Sequence, residues 1–376
     1  MRTPSWKIAL AALAVVTGCG QNTPTTPANP GPGPGPAVLP RGSRTLAIDV
    51  KAAEDGDWAA AMQLAINAGV NDVKFSFDWN VLDDGFTGAG VDLVGILEAT
   101  MASFPVSVTL VLRPLDTVGP TYPAAIPTSP LDNAQALSAF SALIDTLHAH
   151  TPGLRARGQI RAIQIGNEID GYLGTDATRW AQFGHFYRQA AAHVRALDWG
   201  NPSLEVSTII MYGGATDPTT RGLFTAECDS AVDMVTVNYY PLAPDFSMRP
   251  PSDVDGDFQT LVDAFPGREI QLQECGYASG TTCGSSEEKQ RQFVANVFAA
   301  WDKHASQITH IDFTWLTDQS QATVDQWVID YGMSGSPNEA CFRDYLGTLG
   351  LRTYAGAGTD KPAFGELAIQ AAARGW

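Results

Sequence analysis

From residue 45 onward the chain alternates between two periodicities, and this alternation limits what it can fold into. Short apolar runs of strand length recur eight times, over 45–50, 72–78, 106–112, 160–168, 204–211, 234–240, 269–274 and 308–315. Amphipathic stretches with helical spacing separate them, over 58–68, 92–104, 133–150, 176–197, 217–228, 254–265 and 286–304, with a closing helix over 361–373. Gly69 stands where the first helix needs a C-terminal stop, and Ser285 where the seventh needs an N-cap. The run 106–112 is almost unbroken apolar sequence, as expected of a strand covered on both faces. Eight strands alternating with helices imply an α/β fold, a single (β/α)8 TIM barrel, with a long insertion after the eighth strand at 317–358. An open doubly wound sheet is the competing arrangement. No Gly-x-Gly-x-x-Gly follows the first strand, which argues against a dinucleotide fold.

In such a barrel, chemistry sits where strands end and βα loops begin. The fourth strand ends in Gly166-Asn167-Glu168, and the seventh ends in Glu274 followed by Cys275 and Gly276. A carboxylate at the end of a buried strand is costly unless it has partners. Two of them at strand ends point to two carboxylates facing one pocket, the equipment for splitting a glycosidic bond.

Asn238-Tyr239-Tyr240-Pro241 closes the sixth strand and Trp315 the eighth. Together with Gly-Asn-Glu and the second Glu, these strand ends resemble glycoside hydrolase clan A, the retaining barrel glycosidases. The Asn-Glu-Ile and Tyr-Tyr-Pro runs are also weakly similar to endo-galactanases. The resemblance implies that Glu168 is the acid/base and Glu274 the nucleophile, acting on β-linked oligo- or polysaccharide without a metal or organic cofactor. It implies that Asn167 binds a sugar 2-hydroxyl, that Tyr240 supports Glu274, and that Trp315 floors a sugar ring. Asn238, Arg113, Asp78, Trp79 and Tyr172 are further candidates for the pocket, with Asp170 beside Tyr172 and Trp327 as a cleft wall. For Arg113 a structural ion pair is an equal alternative. The reading from another class is a catalytically silent glycan-binding surface protein on the same barrel.

Other chemistries lack support. His148 and His150 are two apart on a helix and do not share a face, no Gly-x-Ser-x-Gly is present, and nothing resembles a P-loop. Lys74 falls in mid-strand, so a Schiff-base barrel is disfavoured. A formal charge of −17 with no basic face disfavours nucleic acid as a partner.

The N-terminus reads as a targeting segment. Arg2 and Lys7 precede a short apolar run, and Val16-Thr17-Gly18-Cys19 resembles a lipobox. Residues 1–18 are expected to be a lipoprotein signal peptide, with Cys19 carrying the lipid. Residues 19–43, rich in Pro and Gly, are an expected tether, and 44–376 the barrel domain. This layout predicts an exported, monomeric bacterial lipoprotein of the cell envelope, touching the membrane only through its lipid. Cys228, Cys275, Cys283 and Cys341 remain, an even number in an exported chain, pointing to two disulfides. Three pairings are open. Proximity favours Cys275–Cys283, which leaves Cys228–Cys341.

Overall fold

The computed structural model describes residues 38–376. The expected leader, Cys19 and most of the expected tether lie outside the described residues. Nine strand segments form the central sheet, numbered here in chain order: β1 Thr45–Ile48, β2 Asp72–Asp78, β3 Ser107–Arg113, β4 Ile160–Ile165, β5 Glu205–Ser207, β6 Ile209–Met211, β7 Val235–Tyr239, β8 Ile270–Cys275 and β9 Ile308–Phe313. All their pairings are parallel, in the order β5-β4-β3-β2-β1-β9-β8-β7-β6.

The two ends of that order are consecutive in the chain. The single strand expected over 204–211 is divided at Thr208: Ser207 pairs with Gln164 on one side, and Ile209 with Thr236 on the other. The strand changes partner in mid-course, and this closes the sheet into a barrel. The reading of eight strands and a (β/α)8 fold therefore holds, with the fifth strand serving both neighbours.

Helices cover the outside because each strand is apolar on that face. Their starts follow capping chemistry: Asn133 accepts from Ala136 N at 2.9 Å, and Asp176 from Thr178 N at 2.9 Å. Ser286 rather than Ser285 caps the helix Glu287–His304, accepting from Lys289 N at 3.2 Å, while Ser285 turns inward to the Ala278 carbonyl. Gly69 follows the first helix with φ +100°, the stop its sequence predicts.

The barrel interior is polar. Asp72, Thr109, Gln164, Thr236, Gln271, Gln273, His310 and Asp312 are buried. Gln164 of β4 donates to Gln271 of β8 at 3.1 Å, a contact between strands that are not neighbours in the sheet and so one that crosses the barrel. Below them Asp72 accepts from Thr109 at 2.8 Å and approaches Arg161 at 3.5 Å. Buried polar side chains ordinarily satisfy one another, but among the described residues the His310 ring nitrogens and the Asp312 carboxylate oxygens have no hydrogen-bond partner. The apolar core lies in the layer between strands and helices instead.

The insertion after β9 carries two helices, Gln321–Asp330 and Glu339–Gly347, which pack over the C-terminal ends of the strands. At the other end of the barrel the last residues of the expected tether lie against the domain: Arg41 N donates to the Arg374 carbonyl at 2.8 Å.

Candidate active site

The residues that follow β4 set the first glutamate. Gly166 adopts φ +88°, where a Cβ would come within 2.7 Å of Ile169 and 3.0 Å of Phe183. Only glycine fits there. Glu168 itself is left-handed, at φ 45° and ψ 44°, just before the short helix Ile169–Leu173. A non-glycine residue in this region stores on the order of 1–2 kcal/mol of strain. Backbone bonds from Gly166 N to Leu112 O and from Asn167 N to Leu115 O, at 2.8 and 2.9 Å, hold the turn in place.

The Glu168 carboxyl accepts from Thr117 Oγ1 at 2.7 Å and from Asn238 Nδ2 at 3.1 Å. Burial pushes its pKa up to about 8, and the nearby Glu274 carboxylate adds to the shift, against the two hydrogen bonds. At neutral pH the group keeps its proton.

Glu274, on β8, is dressed differently. Lys74 Nζ lies 3.1 Å from Oε1, and the Tyr240 hydroxyl donates to Oε2 at 2.6 Å. Lys74 also reaches Asp49 at 3.3 Å. Burial alone would lower the Lys74 ammonium, but Glu274 and Asp49 outweigh it and hold it above its ordinary value. Burial and the Glu274 charge both raise the Tyr240 hydroxyl, which keeps it a donor. Glu274 thus receives a cation and a hydroxyl, both complementary to a carboxylate, and Glu168 sits in a site that favours its neutral form.

A polar chain leads away from Glu168. Asn238 donates to Asn167 Oδ1 at 3.2 Å, and Asn167 donates to Asp116 Oδ1 at 2.8 Å. Asp116 pairs with Arg113 at 3.3 Å, and Arg113 with Asp78 at 2.8 Å. For Arg113 the structural ion pair is the arrangement found. Asn167 is oriented by its amide and carbonyl together, so its place beside Glu168 is fixed.

Trp315 is largely buried and lies against Trp327 at 5.4 Å between ring centroids, with Lys51 Nζ 4.3 Å from the Trp315 centroid. Tyr172 sits under the Arg179 guanidinium at 4.8 Å. Asp170 is buried and accepts from Met211 N at 2.9 Å, tying the turn after β4 to β6, which makes it a structural link.

Trp79 is a correction. It opens the helix Trp79–Thr87, an element absent from the expected strands and helices, and it is fully buried against Tyr122 and Phe140 at 4.6 and 4.9 Å. Its ring belongs to the core rather than to the pocket. The disulfide expectation is corrected too. The bond joins Cys283 to Cys341, while Cys228 and Cys275 are free and buried. Cys275 is locked in the barrel wall, in register with Tyr239 and Phe313, so it does not reach the loop that carries Cys283.

Sequence reasoning missed Lys74, Asp49, Asp116, Thr117 and Tyr345. Lys74 was set aside as mid-strand, yet alternation aims it into the barrel beneath Glu274. The signal was available: an ammonium inside a buried parallel strand needs a carboxylate. Asp49, one residue past β1, obeys the same strand-end rule that exposed the two glutamates. Thr117 lies beyond β3 in a small ladder, Leu115–Asp116 with Gly119–Pro120, and carried no such mark. Tyr345 comes from the insertion, packs edge-on to Tyr240 at 5.6 Å, and has its hydroxyl raised by burial, then by Glu168 and Glu274.

No protein-family model matches the chain, and no curated protein matches it by sequence. Solved structures do match by fold. The exo-beta-1,4-mannosidase Op5Man5 from Opitutaceae bacterium strain TAV5 aligns at 14% identity and TM-score 0.63, over 90% of this chain and 61% of that one. A GH53 catalytic domain from Ignisphaera aggregans aligns at 16% identity and TM-score 0.58, over 91% and 98%. A fungal beta-1,4-galactanase structure aligns at 14% identity and TM-score 0.59, over 87% and 99%. At these identities the likeness concerns the fold, and the chain is accordingly a (β/α)8 barrel of the architecture shared by the clan A glycoside hydrolases.

Proposed function

We propose that this protein is a retaining glycoside hydrolase acting on β-linked glycans. The observation that carries the reading is the opposite dressing of the two strand-end glutamates. Glu274 has a lysine and a tyrosine hydroxyl on its two oxygens, and Glu168 has burial and a neighbouring charge that favour its proton. One group suits a nucleophile and the other a general acid.

In the first step a Glu274 oxygen attacks the anomeric carbon, while Glu168 gives its proton to the departing glycosidic oxygen. The product is a glycosyl ester on Glu274 and a free leaving sugar. In the second step Glu168, now ionised, takes a proton from water. The water oxygen displaces Glu274, and the sugar leaves with its original configuration. Asn167, oriented by Asn238 and Asp116, is placed to meet the sugar 2-hydroxyl. The fold of the aligned glycosidases supports the class, and the N-terminal motif supports export with a lipid on Cys19.

The test is hydrolysis by the full protein of aryl β-glycosides and plant and microbial polysaccharides, with the first-formed anomer followed by NMR. Retention is expected, with a loss of several orders of magnitude in both Glu274→Ala and Glu168→Ala. Inversion, or near-normal turnover in either variant, would reject the assignment.

A further inference from the structure

Lys51 stands at the same end of the barrel, three residues past β1. The Thr317 hydroxyl donates to its main-chain carbonyl at 3.1 Å, which ties it to the chain leaving β9. Its Nζ lies over two rings, 4.3 Å from the Trp315 centroid and 5.6 Å from that of Trp327. Several other buried or half-buried cations of the barrel hold a carboxylate. Lys74 has Glu274 and Asp49, Lys361 has Asp318 at 2.6 Å, Arg113 has Asp78, and Arg44 and Arg374 share Asp302. Among the described residues, no carboxylate lies within ion-pair distance of Lys51. Its charge nevertheless interacts with Glu274 and Asp49, and with Lys74 and Arg113, so it faces the candidate active site.

The physical position is unusual. Burial lowers the Lys51 ammonium, and the aromatic faces attract its charge without neutralising it. A partly desolvated cation at the mouth of a glycan site, lacking a counterion of its own, is complementary to an anion on the ligand. The overall charge of −17 opposes an anionic ligand at long range, but salt screens that field beyond roughly 10 Å, and the nearest free charge governs docking.

We infer that Lys51, seated on Trp315, forms a subsite for an anionic sugar, so that the glycan bound here carries a carboxylate or sulfate on the ring lying against that corner. The inference rests on the glycosidase reading for its setting and adds the substrate class.

The experiment is calorimetric titration of the full chain with three sets of oligosaccharides: uronate-containing ones, sulfated ones, and the same compounds after carboxyl reduction or desulfation. At least one charged ligand should bind about 10–100-fold more tightly than its neutral counterpart, as expected for a charge-assisted contact. The gap should shrink with added salt, collapse in Lys51→Met, which keeps the stem over Trp315, and return in Lys51→Arg. Whether the uronate or the sulfate arm shows the gap identifies the anion. Equal or tighter binding of the neutral members by the unaltered protein would overturn the inference, as would a preference that survives Lys51→Met, or no binding of any anionic sugar. Glu274-dependent hydrolysis of neutral glycans alone would remove the anionic subsite and leave the hydrolase reading intact. Lys51-dependent binding of charged sugars without any Glu274-dependent turnover would do the reverse.

Discussion

At the scale of single residues, the two glutamates differ through what surrounds them. Glu168 is pushed up to about 8 by burial and by Glu274, so at neutral pH it holds the proton that the proposed general acid must give, and it loses that proton as pH rises. The limb of kcat/KM above about pH 8 should therefore fall, and Glu168→Gln should abolish the limb on activated aryl glycosides whose leaving group needs no proton. The same shift has a stability consequence. The folded chain holds this proton more tightly than the unfolded chain, so folding weakens as pH rises through the window between the two values. Relative to Glu168→Gln, the unaltered protein should lose stability from about pH 4.5 to about pH 8, read by urea unfolding at several pH values. A constant difference across that range would contradict the shift. Both glutamates were legible in the sequence because a strand end is a fixed address. Their supporters were not: Lys74 and Thr117 come from other strands and loops, and only closure of the barrel brings them to the carboxylates.

Among the elements, the helix Trp79–Thr87 and the insertion after β9 decide the most. Trp79 packs on Tyr122, Phe140 and Phe186. Trp79→Ala should cost about 3–5 kcal/mol of stability in denaturant unfolding, the usual range for emptying a buried tryptophan site. The insertion is held by Cys283–Cys341, which spans 58 residues. A bridge closing a loop of that size removes up to about 4 kcal/mol of unfolded-chain entropy. Cys341→Ser should therefore lower the thermal midpoint and speed proteolysis within 321–347. Because Tyr345 of this insertion packs against Tyr240, and Tyr240 holds Glu274, turnover should fall as well. Peptide mapping that failed to recover a Cys283–Cys341 linked fragment would reject the bridge. The pairing was not readable in advance, because nearness along the chain favoured Cys275, which the barrel wall removes from reach.

For the molecule as a whole, closure is handled at both ends of the chain. Arg44, at the start of the barrel, and Arg374, in the last helix, both pair with Asp302, at 2.8 and 2.7 Å. Arg44 also lies over Trp301 and Trp376, at 5.0 and 5.2 Å. Burial opposes the Asp302 charge, and the two guanidinium groups prevail and hold its carboxyl below the usual range. Asp302→Ala would leave two buried cations without a counterion, at a cost of about 3 kcal/mol or more in global unfolding free energy. The site is at the opposite end of the barrel, so the loss should appear in stability rather than in KM. A neutral effect on unfolding would mean the two arginines find other partners.

What the sequence determined by itself was periodic or positional. The alternation of strands and helices set the barrel, the strand ends located the two glutamates with Asn167, Asn238 and Tyr240, and capping residues stopped and started the helices, each through contacts between residues close in the chain. What only the tertiary structure decided depends on which distant segments face one another across the barrel. The division of the fifth strand at Thr208, the placement of Lys74 and Asp49 under Glu274, the burial of Trp79, the Cys283–Cys341 pairing and the seat of Lys51 on Trp315 all belong there. Side-chain direction inside a closed barrel, and the counterion a buried charge finds, follow from closure, and no local pattern in the chain encodes them.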